Sequence, residues 1–150
     1  MNVRLTTFTD YSLRVLLYVA TAPEGRANIA EIARKYGVSE HHIVKVVHLL
    51  GKEGLLVNTR GRGGGLRLSR APREINVGQV VRITEEPSVL AECFDAAGKC
   101  AITGACRLAV VLREAHDAFY EVLDGFTLAD LLARPQRMTQ ILHHSPGQTQ

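Results

Sequence analysis

The three cysteines of this 150-residue chain all lie in one segment, C-F-D-A-A-G-K-C-A-I-T-G-A-C. Six residues separate Cys93 from Cys100, and five separate Cys100 from Cys106. Gly98 and Gly104 lie between them, and glycine lets a backbone turn freely. Such a loop can gather three thiols around one point, and thiolates are preferred ligands of soft metals and iron-sulfur clusters. The segment therefore indicates a metal or cluster site.

Other roles for the cysteines are open on these residues. Cysteine is often a small buried hydrophobe, but Asp95 and Lys99 make this segment poor core material. A disulfide framework is disfavoured because the number of cysteines is odd, and structural zinc usually takes four ligands in paired C-x2-C units. Two-iron and four-iron clusters also need four ligands. The fourth must come from elsewhere in the chain or from another subunit.

Composition is that of an ordinary globular chain, with 46% hydrophobic residues and no run of about 18 apolar residues that could span a membrane. The first residues, M-N-V-R-L-T-T-F-T-D-Y, lack the apolar region of a secretory signal. Together with reduced thiols, this start predicts a cytoplasmic protein.

Charge is distributed unevenly along the chain. Residues 1–73 carry twelve Lys/Arg and five Asp/Glu, a net charge of +7, whereas residues 74–150 carry six and ten, a net charge of −4. A basic first half is typical of a nucleic-acid surface joined to a separate module, although a mixed solvated surface is the alternative.

The first half has the pattern of a helix-turn-helix that follows one earlier helix. Thr9 is the predicted N-cap of the earlier helix, with Asp10 in its first turn. A short amphipathic helix then ends at Gly37, and Ser39 caps a second helix from Glu40 to about residue 52. The outward face of this second helix, expected to meet DNA in a major groove, carries His41, His42, Lys45 and His48, with Ser39 at its start.

A hairpin follows the helix-turn-helix. Residues 55–59 and 66–69 have strand patterns, and they flank a glycine-rich tip with Arg60 and Arg62. The hairpin is therefore a predicted wing, whose arginines suit the narrow minor groove. A flexible solvated hairpin is the alternative.

The second half is predicted to be helical. A short helix capped by Asn76 precedes the cysteine segment, and a longer one extends from about residue 106 to 123. Apolar residues recur at helical spacing in the longer helix, which favours dimerisation with a second copy over packing on its own domain. The predicted fold is mainly α with a small β-hairpin: a winged helix-turn-helix (1–73), the cysteine segment and dimerisation helix (74–134), and a disordered tail (135–150).

Together these residues resemble the bacterial family of winged-helix iron-sulfur regulators, over residues 1 to about 134. The motifs that carry the resemblance are L-T-x-F-T-D-Y-x-L-R from Leu5 to Arg14, Y-G-V-S at 36–39, R-G-x-G-G-G-x-R-L from Arg60 to Leu68, A-C-R-L from Ala105 to Leu108, and T-L-A-D-L at 127–131. The resemblance implies a homodimer that binds a palindromic operator. It also implies one two-iron or four-iron cluster per subunit that controls the affinity.

Within that family, the chain resembles the nitric-oxide-sensitive repressors more than the cluster-biogenesis regulators. The latter supply a histidine just after the third cysteine, where this chain has Leu108-Ala109-Val110. His116 would lie about 15 Å farther along a continuous helix than Cys106, too far for the same iron. The resemblance implies control of nitric oxide detoxification genes. The implied ligands are Cys93, Cys100, Cys106 and Asp10 of the partner subunit.

Alternatives to this function are a sensor of iron, oxygen or cluster supply and, more remotely, a metal-dependent enzyme. The sequence offers no candidate base and nucleophile pair, so we expect no enzyme. For Asp10 the alternative role is that of an acid that stabilises a helix start.

Overall fold

The computed structural model describes residues 4–85 and 100–144 of the chain. These two ranges contain seven α-helices, a short 3-10 helix and one antiparallel pair of strands. The elements are α1 (Thr7–Thr21), α2 (Ile29–Tyr36), α3 (Glu40–Lys52), β1 (Leu56–Thr59), β2 (Gly65–Leu68), the 3-10 helix (Pro72–Glu74), α4 (Val77–Thr84), α5 (Leu108–Asp124), α6 (Leu128–Leu131) and α7 (Pro135–His143). The predicted fold class is confirmed. None of these helices is long and apolar enough to cross a membrane.

The start of α1 differs from the prediction. Thr9 is not the N-cap: α1 begins at Thr7, and the Oγ1 atom of Thr6 accepts a hydrogen bond from the Thr9 N–H group at 3.2 Å. Thr9 is fully buried, and its hydroxyl lies 3.0 Å from that of Thr6. Both threonines are suitable caps, and tertiary packing of Thr9 decides between them. Asp10 remains in the first turn.

The helix-turn-helix has the predicted boundaries. Gly37 ends α2 in the left-handed region, with φ of 65°, where a side chain is disfavoured. Ser39 then caps α3, because its Oγ atom accepts a hydrogen bond from the His42 N–H group at 3.3 Å. The turn is thus set by two local signals, a C-terminal glycine and an N-terminal serine.

The core is built around α1, which packs against α3, α4, α7 and β2. Buried residues from both halves of the chain form one cluster. Its fully buried members include Leu16, Ile32, Ile43, Leu50, Leu66, Ile75 and Leu128. Because Ile75 and Leu128 belong to this cluster, the segments on either side of the cysteines pack on the winged helix itself.

A polar joint fixes the C-terminal end of α5 to α4. The Arg82 guanidinium makes two ion contacts with the Asp124 carboxylate, at 2.5 and 2.7 Å, and lies 4.5 Å from the Tyr120 ring centroid. These hydrogen bonds hold the pKa of Asp124 below its usual range. Asn76 donates to the Asp124 carbonyl at 2.8 Å, and a Cβ atom at Gly78 would overlap the Asp124 carboxylate. The orientation of α5 is therefore tied to α4, which in turn packs on α1 of the DNA-binding half.

The disorder predicted for the tail is wrong for residues 135–143, which form α7; residues 145–150 lie outside the described ranges. The His143 ring lies 4.3 Å from the Tyr18 ring, and its Nε2 atom is 3.1 Å from the Tyr18 carbonyl and 3.0 Å from the Thr21 hydroxyl. The carbonyl can only accept, so Nε2 is the donor in that contact, and burial lowers the pKa of His143. Contacts with α1, which a polar composition does not reveal, stabilise α7.

Candidate DNA-binding surface and cysteine segment

The outer face of α3 carries the predicted DNA-contacting side chains. His41, His42 and Lys45 are exposed, whereas the stripe at Ile43, Val46, Val47 and Leu50 is buried. Ser39 is also exposed, although its Oγ atom is engaged in the cap of α3. Val44 was not among the predicted contacts, yet it is 47% exposed on a face otherwise made of polar side chains. Its exposure could have been predicted, because position 44 lies outside the buried stripe of α3. A valine at such a position is suited to contact a thymine methyl group.

The wing is a short hairpin whose register brings Leu56 opposite Leu68 and Thr59 opposite Gly65. Residues 60–64 form the tip. Gly61 and Gly63 have φ of 92° and 71°, and a Cβ atom at Gly64 would overlap the Thr59 carbonyl. The glycines are therefore needed to close the tip.

Strand β2 of the wing is anchored to Ala27, which precedes the N-cap residue of α2. Ala27 and Leu66 exchange two backbone hydrogen bonds, of 3.0 and 2.7 Å, which extend the hairpin with a third segment. Arg60 and Arg62 project from the tip as exposed side chains. Neither makes an ion pair with any residue in 4–85 or 100–144, unlike Arg26, which pairs with Glu24 at 2.6 Å. Both charges at the tip are thus available for phosphate.

Of the predicted cysteine ligands, Cys100 and Cys106 lie in the described ranges and Cys93 lies outside them. Both described thiols are free and partly exposed. The Cys100 carbonyl accepts hydrogen bonds from the N–H group and the hydroxyl of Thr103, at 3.3 and 2.8 Å, and the Cys106 N–H group donates to the Ile102 carbonyl at 2.9 Å. Consecutive turns therefore separate the two thiols.

The sulfur of Cys106 lies at the N-terminus of α5. The Leu108 N–H group donates to Cys106 Sγ at 3.3 Å, and the N-cap residue Arg107 makes no capping side-chain bond. This sulfur therefore receives an N–H donor and lies at the positive end of the helix dipole. Two accessible thiols, one of them at a helix start, fit a soft metal or an iron-sulfur cluster as ligands.

Both carboxylate oxygens of Asp10, on α1, contact one side chain of the same protomer. Arg14 contacts Oδ1 through Nε at 3.1 Å and Oδ2 through Nη2 at 2.9 Å. Among the described residues of one protomer, Asp10, Cys100 and Cys106 do not form a group that could hold a metal ion. A ligand role for Asp10 therefore stays a prediction that involves a second subunit.

The first two turns of α1 also contact the helix-turn-helix. The Arg14 guanidinium lies 5.7 Å from the centroid of the Tyr36 ring, and the Tyr36 hydroxyl donates to the Arg14 carbonyl at 3.1 Å. Burial raises the pKa of Tyr36 to about 12, so this donor keeps its hydrogen. The Tyr11 ring lies 6.4 Å from that of His42 on α3. Asp10 is therefore flanked by residues that contact both helices of the motif.

Residues 5–134 match the Rrf2 family, described as iron-dependent transcriptional regulators. The chain belongs to the Rrf2 family. An HTH-type transcriptional regulator NsrR of Geobacillus kaustophilus is 47% identical over 97% of this chain and all of that protein. The NsrR regulator of Bacillus subtilis is 44% identical over 93% of this chain and 97% of that protein.

Solved structures of Rrf2-type regulators share the fold. T. potens IscR has a TM-score of 0.69 and 29% identity, covering 88% of each chain. CymR, the global cysteine regulator of B. subtilis, has a TM-score of 0.67 and 28% identity, covering 87% of this chain and 96% of its own. This Rrf2 protein is therefore a DNA-binding transcriptional regulator, and it is not an enzyme.

Proposed function

We propose that this Rrf2 protein is a nitric-oxide-responsive repressor that binds a palindromic operator as a homodimer, with one iron-sulfur cluster per subunit. The observation that carries the proposal is the donor set at Cys100 and Cys106, in a chain 47% identical over nearly its full length to an NsrR regulator. Cys93 and Asp10 of the partner subunit complete the proposed ligands. The regulated genes would be those of nitric oxide detoxification.

Dimerisation is supported by the unpartnered apolar face of α5. None of its residues is buried within one protomer, although the helix is rich in large apolar side chains. Leu108, Val111 and Val122 are 53%, 53% and 63% exposed, and Phe119 is 39% exposed. Leu108 and Val111 are three residues apart, as are Phe119 and Val122, and about two helical turns separate the two pairs. The four side chains therefore lie along one side of α5, as in a seam between two helices. A second copy of α5 would cover this face.

Operator binding is supported by α3 and the wing. In a helix-turn-helix dimer, each recognition helix enters one major groove and the two half-sites are about one helical turn apart. Here the recognition face carries His41, His42, Val44 and Lys45, and the wing presents Arg60 and Arg62. The arginine charges would supply salt-sensitive affinity, whereas the α3 side chains would supply sequence preference.

Signalling would depend on whether the Asp10 carboxylate pairs with Arg14 or binds iron of the partner subunit's cluster. An iron-sulfur cluster supplies iron that nitric oxide attacks, and a carboxylate is a harder, weaker ligand for such iron than a thiolate. Both Asp10 oxygens contact Arg14 in the described protomer, so metal ligation requires at least one to turn away. Arg14 would then be freer to shift over Tyr36, at the end of α2. Binding or release of iron by Asp10 would thus affect the helix-turn-helix through the Arg14 and Tyr36 side chains.

The function is tested on full-length protein purified without oxygen. We expect brown protein that binds operator DNA in a fluorescence anisotropy titration, and loses that affinity after stoichiometric nitric oxide. In cells, a promoter reporter should respond to nitric oxide and remain silent on iron starvation. Colourless protein with full operator affinity, or a reporter that responds to iron starvation alone, would favour the alternative regulators over this proposal.

Asp10→Ala tests the fourth ligand. As a helix-start acid, Asp10 contributes roughly 0.3 to 1 kcal/mol through the helix dipole, and its loss should lower stability only slightly. As a ligand, it should also change the visible circular dichroism and shorten the lifetime of the colour in air. The matched control is Glu31→Ala, which removes the first-turn acid of α2. If the two variants have the same spectrum and colour lifetime, Asp10 has only the helix-start role.

A further inference from the structure

Glu85 links the end of α4 to the start of α1. It is the C-cap of α4, and its Oε1 atom accepts a hydrogen bond from the Thr6 N–H group at 2.6 Å. The same oxygen accepts one from the Thr6 hydroxyl at 3.2 Å. The two residues are 79 positions apart in the chain, so this is a tertiary contact.

The contact has the geometry of a capping box completed from another helix. In a capping box, an acid or amide at the third helical position accepts from the N–H group of the N-cap residue. In α1 the third position is Thr9, whose hydroxyl pairs with the Thr6 hydroxyl and leaves the Thr6 N–H group to Glu85. A negative charge there also favours the helix start. Glu85 therefore takes the acid's place in the cap of α1.

The first turn that Glu85 holds is the turn that carries Asp10. The Asp10 N–H group donates to the Thr6 carbonyl at 3.0 Å, and α1 packs on α3. On the other side of the contact, the chain continues from Glu85 toward Cys93. One carboxylate thus links the helix whose Asp10 is a proposed ligand of the partner's cluster to the point where the chain leads toward a proposed ligand of its own cluster.

We propose that Glu85 is a positioning residue, which fixes the first turn of α1, and with it Asp10, to the end of α4. This inference rests on the proposed function, because the position of Asp10 matters only if Asp10 is a cluster ligand. Both observed contacts direct the Glu85 carboxylate at Thr6. Loss of Glu85 should loosen Asp10 while every proposed ligand remains.

The chain offers a matched control in Glu74. Its Oε2 atom accepts from the Ala71 N–H group at 3.0 Å, so it makes the same kind of cap bond within the 3-10 helix. Neither Glu74 nor Ala71 contacts α1 through a described hydrogen bond or ion pair. A general cost of losing a glutamate cap should be equal in Glu74→Ala and Glu85→Ala, whereas an effect on Asp10 should appear only in the latter.

Two measurements on full-length variants test the inference. Amide exchange of residues 6–10 in cluster-free protein should be about tenfold faster in Glu85→Ala than in Glu74→Ala, as expected when one charge-assisted hydrogen bond is lost. Cluster colour after anaerobic reconstitution should disappear several-fold faster in air. Glu85→Gln keeps an acceptor and should restore part of both properties. Thermal unfolding checks that the variants are folded.

The outcomes separate this inference from the function on which it rests. Unchanged exchange in Glu85→Ala would show that Glu85 does not hold the turn. Faster exchange with a colour lifetime equal to that of Glu74→Ala would show that the link is only structural, and would leave the proposed function intact. Wild-type protein that holds no cluster would contradict the proposed function, and with it the positioning role, whatever the exchange rates show.

Discussion

Cys106→Ser is expected to abolish the visible absorbance of anaerobically purified protein and to derepress the target promoter. Serine is nearly isosteric, but its hydroxyl is not a thiolate and binds soft iron poorly. The substitution also removes the sulfur that accepts from the Leu108 N–H group at the start of α5. Stability should change little, because Cys106 is partly exposed and serine can accept the same bond.

The control for this variant is Ala105→Ser, which adds a hydroxyl to the neighbouring exposed position and leaves the thiols in place. It should keep both colour and repression. Cys100→Ser and Cys93→Ser should behave as Cys106→Ser does if all three thiols hold one cluster. Full colour and full repression in Cys106→Ser would instead support the role of a small, partly packed side chain, and would remove the basis for the cysteine site.

Local signals explain why the helix-turn-helix was predictable. Gly37 and Ser39 each act within one turn of the chain, so their types alone set the end of α2 and the start of α3. The exposed face of α3 followed from the spacing of its buried stripe. The wing was equally predictable, because its tight tip has positive φ at Gly61 and Gly63, a conformation that favours glycine.

The predictions from sequence were wrong or incomplete where contacts between distant residues determine the local structure. Thr9 is a reasonable cap by type, but its burial and the Glu85 carboxylate assign the cap to Thr6. The contacts of His143 with α1 stabilise a segment whose polar composition suggests disorder. No spacing rule connects positions 6 and 85 or positions 21 and 143. Their pairing follows from how the helices pack, which the sequence pattern does not state.

Arg62→Ala is expected to weaken operator binding by about tenfold and to lower the slope of log affinity against log salt concentration by about 0.9, the change expected for one lost phosphate contact. Arg62 is exposed at the wing tip, and it makes no ion pair with any residue that the structure describes. Its charge is therefore available to DNA, and its removal should cost no folding stability. Anisotropy titrations at several salt concentrations measure both quantities.

Arg73→Ala is the matched control, because it removes one exposed positive charge of the same half of the chain away from the wing. It should change the salt slope less, since a charge outside the contact surface displaces no counterion from the bound phosphates. Lys45→Ala, on the recognition face of α3, should alter the preference between operator sequences as well as the affinity. If Arg62→Ala and Arg73→Ala give the same affinity and slope, the hairpin is a solvated loop, and α3 must carry the DNA contacts alone.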